Sequence, residues 1–72
     1  MTPPELGTAI RVVRREQGLR QDQLAAAANV GVCFIVDLEA GKPTAQIGKI
    51  FAVLNALGLT VTISGAAGKA PP

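Results

Sequence analysis

The sequence predicts an all-α fold: a bundle of four to five short helices followed by one C-terminal β-strand. Three observations predict it. Gly18, Asn29, Gly41 and Gly58 each close a run with helical apolar spacing. Gly and Asn are the residues that accept the left-handed conformation at a helix C-terminus. Within the runs, apolar side chains recur three and four residues apart, as a buried helix face requires. The stretch LGLTVTISG, residues 57–65, breaks this pattern. Leu59, Val61 and Ile63 alternate with Thr60, Thr62 and Ser64, the period of two that marks a half-buried strand.

Taken in order, MTPP reads as a disordered lead over residues 1–4. The first helix is expected from Glu5 to Gln17, with Leu6, Ile10 and Val13 as its buried stripe and Arg11, Arg14 and Arg15 largely off it. The second is expected from Gln21 to Ala28. Leu19 and Leu24 have the spacing of a hydrophobic staple, Gln23 supplies half a capping box, and Arg20 is a poor cap. The third is expected from Val32 to Ala40, capped by Gly31, with Ile35 and Leu38 facing inward. GKPT then interrupts the chain. Thr44 is the expected cap of a fourth helix that ends near Leu57 and buries Ile47, Ile50, Phe51, Leu54 and Leu57. Phe34 and Phe51 read as packing residues. The strand occupies 59–64, and GAAGKAPP, residues 65–72, reads as a disordered tail.

A chain of 72 residues makes one small domain. Such a domain buries only about 60% of the surface its unfolded chain exposes, so it is marginal on its own. Cys33 is the single cysteine and there is no histidine, which excludes an internal disulfide and argues against structural zinc. One cysteine and no signal-peptide pattern point to a reducing, cytoplasmic setting. No apolar run approaches the ~20 residues of a membrane span. A nucleophile–base pair and a glycine-rich phosphate loop are both missing, so no enzyme activity, cofactor or metal is expected. Oligomerisation remains as the stabiliser. A lone strand has backbone donors and acceptors without partners. The expected solution is a homodimer in which Leu59, Val61 and Ile63 carry the interface. The net charge of +2 and pI near 9.2 are compatible with a nucleic-acid partner without demanding one.

Residues 21–40, QDQLAAAANVGVCFIVDLEA, form a helix, a tight turn and a second helix. Only a small side chain fits where the two helices cross, and Ala25 is there. The turn needs a residue that accepts positive φ, and Asn29 does. Leu24, Val30, Ile35 and Leu38 form a shared apolar seam. The second helix is then free to project into a groove.

LGTAIRVVRREQGLRQDQLAAAANV followed by FIVDLEAGKPT resembles the Xre/Cro-type helix-turn-helix regulators with the λ-repressor-like fold, over roughly residues 5–58. The GLxQxxLA start and the (F/S)IxxLExGK ending carry the likeness. The continuation KPTAQIGKIFAVLNALGLTVTIS is similar to the HipB-type antitoxins, in which a short C-terminal strand pairs with its twin in a dimer.

The resemblance implies a dimeric DNA-binding transcriptional regulator that represses its own operon. Its recognition helices, about 34 Å apart, read a palindromic operator in double-stranded DNA. It further implies a HipA-like serine/threonine kinase toxin as partner. Gln21 then holds a phosphate and orients the recognition helix, and Arg20, Arg11 and Lys42 are phosphate contacts. Arg14 and Glu39 tie the first helix to the end of the third. The base-reading positions correspond to Val32, Cys33, Val36 and Asp37, with Gly31 where Ser or Thr is common. None can make the bidentate Arg–guanine or Gln–adenine contact. Val32 and Val36 suit thymine methyls, and Asp37 suits cytosine N4. Shape, half-site spacing or a partner protein must supply the remaining specificity. The apolar face also fits an alternative, a helix-turn-helix module that binds protein and has weak or lost DNA binding.

Overall fold

The computed structural model describes residues 2–43 and 46–61. Four helices fill them: α1 (Pro3–Glu16), α2 (Gln21–Ala28), α3 (Val32–Glu39) and α4 (Ile47–Ala56). Helix α2 packs on both α3 and α4, and α1 packs on α3. Ile10, Leu24, Ile35 and Val53, one from each helix, are wholly removed from solvent. Ala25, Ala28, Leu38, Leu54 and Leu57 complete the core around them.

The helix stops lie where the sequence places them. Asn29 has φ 57°, Gly18 φ 71°, Gly41 φ 82° and Gly58 φ 74°. The start of α2 also agrees: Gln23 Oε1 accepts the Arg20 backbone N–H at 2.8 Å, the expected half of a capping box.

The start of α3 at Val32, after Gly31, agrees too, whereas those of α1 and α4 differ from expectation. Helix α1 begins at Pro3, so residues 3 and 4 of the expected disordered lead are helical. The Thr2 hydroxyl accepts the Glu5 N–H at 3.4 Å and donates to Glu5 Oε1 at 2.9 Å. Prolines at the first two helical positions lose nothing, because their missing N–H groups have no partner there in any helix, and their φ is preset. Helix α4 begins at Ile47 with Gln46 at its cap position, and no side chain caps it. Thr44, the expected cap, lies outside the described residues.

The buried face of α4 is rotated from the expected one. Ile47 is 68% exposed and Phe51 44%, whereas Val53, left out of the stripe, is fully buried. Residues 47, 50, 51 and 54 and residues 50, 53, 54 and 57 both have the i, i+3, i+4, i+7 spacing. Periodicity cannot choose between them. Packing against α2 selects the second set. Phe51 is therefore not the core filler expected of it. Phe34 is partly buried against the core, with Lys49 Nζ 5.7 Å from its ring centroid.

After α4, the Leu59 N–H donates to Leu54 O at 2.8 Å and its side chain lies against the core. Val61 is exposed. Residues 62–64 of the expected strand, Ile63 among them, lie outside the described residues, as does the tail. Among the described residues no helix is long and apolar enough to cross a membrane, and no group of His, Cys, Asp and Glu is placed to hold a metal ion.

Candidate nucleic-acid interface

The orientation of α3 is set by a buried ionic cluster. Glu39, the last residue of α3, receives Arg14 Nε on Oε2 at 2.6 Å and Arg14 Nη2 on Oε1 at 3.0 Å. The two side chains are 9% and 4% exposed. Arg14 Nη1 donates to the Leu19 carbonyl at 2.7 Å, and Gln21 Nε2 donates to Glu39 Oε1 at 3.3 Å. One carboxylate thus joins α1, the α1–α2 turn, the first residue of α2 and the end of α3. A planar guanidinium suits this task because its fork matches both carboxylate oxygens at once. Hydrogen bonding to Glu39, against a smaller opposing effect of burial, holds the Arg14 proton more tightly than usual. Among the described residues no buried side-chain nitrogen or oxygen lacks a partner, so the cluster meets the condition for burying charge.

Two backbone approaches reinforce this arrangement. Gly7 of α1 lies against the Leu38 and Glu39 carbonyls, and a Cβ at Gly7 would stand 2.8 Å from Glu39 O. At the far end of the same contact Gly41 lies against Pro4, where a Cβ would stand 2.8 Å from Pro4 Cα. Gln17 Nε2 donates to Leu57 O at 2.8 Å and ties α1 to the end of α4.

Held in this way, α3 turns Val32, Cys33 and Val36 outward. Gly31 precedes them as an exposed cap, where an added Cβ would meet nothing within 4 Å. Beside them an open cleft of about 540 Å³ runs between α1, the start of α2 and α3. Arg11, Arg15, Arg20, Gln21 and Val36 are on its wall. The structure therefore gathers Arg11, Arg20, Gln21 and Val36 into one place. It also adds Arg15, which sequence reasoning passed over. The signal was available: Arg11 and Arg15 are four apart and so share a helix face.

Two of the expected phosphate contacts already have acidic partners. Arg20 Nε lies 3.1 Å from Asp22 Oδ1, and Lys42 Nζ lies 3.1 Å from Asp37 Oδ1. Donation by Arg20 holds the Asp22 carboxyl below the usual carboxylate range. Gln21 is half-buried and engaged with Glu39, which suits a residue that orients α3.

Residues 10–63 match the family model described as Helix-turn-helix. This chain belongs to the Xre-type helix-turn-helix family. The uncharacterized HTH-type transcriptional regulator y4mF of Sinorhizobium fredii (strain NBRC 101917 / NGR234) is 61% identical over 62 residues, covering 86% of this chain and 82% of that protein. Among solved structures, the HipB–O4 20mer complex superposes with a TM-score of 0.83 at 26% identity, covering 92% of this chain and 93% of the other. The HipB–O1–O2 complex gives 0.82 at 25%, covering 90% and 94%. The HipB of a HipA–HipB–O2–O3 complex shares the fold, with a TM-score of 0.84 at 24% identity and coverage of 92% and 93%. The resemblance read from GLxQxxLA and (F/S)IxxLExGK is thereby borne out. In helix-turn-helix terms, α2 and α3 are the two helices of the unit and α3 is the recognition helix.

Proposed function

We propose that this protein is a dimeric, sequence-specific DNA-binding regulator and the antitoxin of a HipA/HipB-like pair, repressing its own operon. The observation that carries this reading is the buried Arg14–Glu39–Gln21 cluster. It fixes α3 with an exposed face of Val32, Cys33 and Val36 next to an arginine-lined cleft. Arg11, Arg15 and Arg20 would meet phosphates, Gln21 would hold α3 to the backbone, and Lys42 would contact the strand beyond α3. Val32 and Val36 would pack on thymine methyls, and Asp37 would accept from a base amino group. Pairing of residues 59–64 across a two-fold axis would set two copies of α3 about 34 Å apart, for a palindrome. The likeness at 25–26% identity to HipB in operator complexes supports the DNA-binding reading; the antitoxin role and a HipA-like kinase partner rest on the sequence resemblance to the HipB-type antitoxins.

Anisotropy titration of the protein on DNA from upstream of its own gene tests the DNA reading. A dimer that neutralises about 6–10 phosphates loses roughly 10³–10⁵ in affinity between about 50 and 200 mM salt. No binding at the lower salt overturns it. A kinase-like product of the neighbouring gene that co-purifies with this protein and is inhibited by it tests the antitoxin reading. The same titration decides the second reading, a protein-binding module, which the apolar exposed face of α3 favours.

A further inference from the structure

The recognition helix carries one charge on its outer side, and that charge has the wrong sign for DNA. Asp37 lies in the last turn of α3. A carboxylate there opposes the helix dipole, so helix stability does not account for it. Asp22, in the first turn of α2, is placed where the dipole favours it. The partner of Asp37 is fixed as well as close. The Lys42 N–H donates to the Asp37 carbonyl at 3.1 Å, and Gly41, at φ 82°, folds the chain back to make that bond. The Lys42 ammonium then lies 3.1 Å from the Asp37 carboxylate, and both side chains are about half exposed. A DNA duplex could reach either one.

We propose that Asp37 is a specificity-determining residue that works by exclusion. In the free protein it occupies Lys42, an exposed cation just past the end of the recognition helix. On a generic duplex it both withholds Lys42 from phosphate and sets a carboxylate against the negative groove. At a sequence that places a cytosine N4 or adenine N6 amino group within reach of the carboxylate, on the strand it faces, the carboxylate gains a donor and Lys42 is released to the backbone. The discrimination arises from what wrong sequences lose. This matches a recognition helix whose other outward residues are apolar and cannot form bidentate base contacts. The proposal rests on the DNA-binding reading given above.

The test uses the full chain, a random-sequence duplex and the Asp37→Asn variant, which keeps the shape and removes the charge. At about 50 mM salt the variant should bind the random duplex roughly 10-fold or more tighter than wild type, since each dimer loses two repelling charges and frees two lysines. The slope of log affinity against log salt should steepen by up to about 1.8, two phosphates at about 0.9 each. Adding Lys42→Gln to Asp37→Asn should reverse the steeper slope. Thermal unfolding of each variant separates loss of fold from change of binding. Unchanged binding of the random duplex by a folded Asp37→Asn protein overturns the proposal. So does a steeper slope that survives Lys42→Gln. If neither wild type nor variant binds any duplex at low salt, the DNA reading falls and this proposal falls with it.

Discussion

Replacing Glu39 by alanine should be the most damaging single change to this domain. The substitution strips Arg14 of its 2.6 and 3.0 Å contacts and Gln21 of its 3.3 Å contact, and leaves a guanidinium buried without a counter-charge. Removing one partner of a buried pair costs about 3–5 kcal/mol. A 72-residue domain holds roughly 4–11 kcal/mol in total, at about 0.05–0.15 kcal/mol per residue. The variant therefore sits between a weakened fold and no fold, with Tm lowered by roughly 12–40 °C. Arg14→Met should cost a similar amount. The double variant Arg14→Met/Glu39→Leu should lose much less than the sum, because an apolar pair of similar volume replaces both charges. Urea unfolding followed by circular dichroism measures wild type, Arg14→Met, Glu39→Leu and the double variant, the four corners of this cycle. If the double variant's loss equals the sum of the single losses to within about 0.5 kcal/mol, the two residues are uncoupled. The account of how α3 is held would then be wrong.

Gly7→Ala should destabilise by about 1–3 kcal/mol, because the new Cβ meets carbonyls of Leu38 and Glu39 that belong to the backbone and cannot turn aside. Gly31→Ala, whose Cβ meets nothing within 4 Å at an ordinary extended φ of −72°, should cost no more than about 1 kcal/mol in the same unfolding assay, from the weaker cap that alanine makes. The Asp22 carboxyl, held low by Arg20, should titrate below its ordinary 3.8 by NMR and return towards it in Arg20→Gln. Its folded value is depressed, so the stability it adds is present above pH 3.8 and is lost as pH falls through the folded value; Asp22→Asn should abolish that acid-side component. Val61→Pro should give a single-copy species in sedimentation at concentrations where wild type is dimeric, since proline removes a ladder donor. An unchanged dimer would move the interface elsewhere.

Much of the fold was legible in the chain because its signals are local. Glycine or asparagine at 18, 29, 41 and 58 is required by the positive φ of a helix end, whatever packs around it. Ala25 and Leu24, and Ile35 and Leu38, follow from the short distance between two helices joined by three residues. The errors share a cause. PP at positions 3 and 4 reads as a breaker until Thr2 is seen to cap the helix that the prolines begin. Helix α4 carries apolar residues around most of its circumference, so two faces satisfy the same spacing and only α2 decides which is buried.

The sequence by itself determined the helix-turn-helix unit, its stops and the residues of its apolar seam, because backbone sterics and helical period act over a few residues. Tertiary structure alone decided that Arg15 joins Arg11 and Arg20 in one cleft, that Gln21 reaches Glu39, and that Asp37 takes hold of Lys42. Those relations depend on where side chains from separate turns end in space. Charge interactions vary with that distance and with burial, and neither is written in the order of residues.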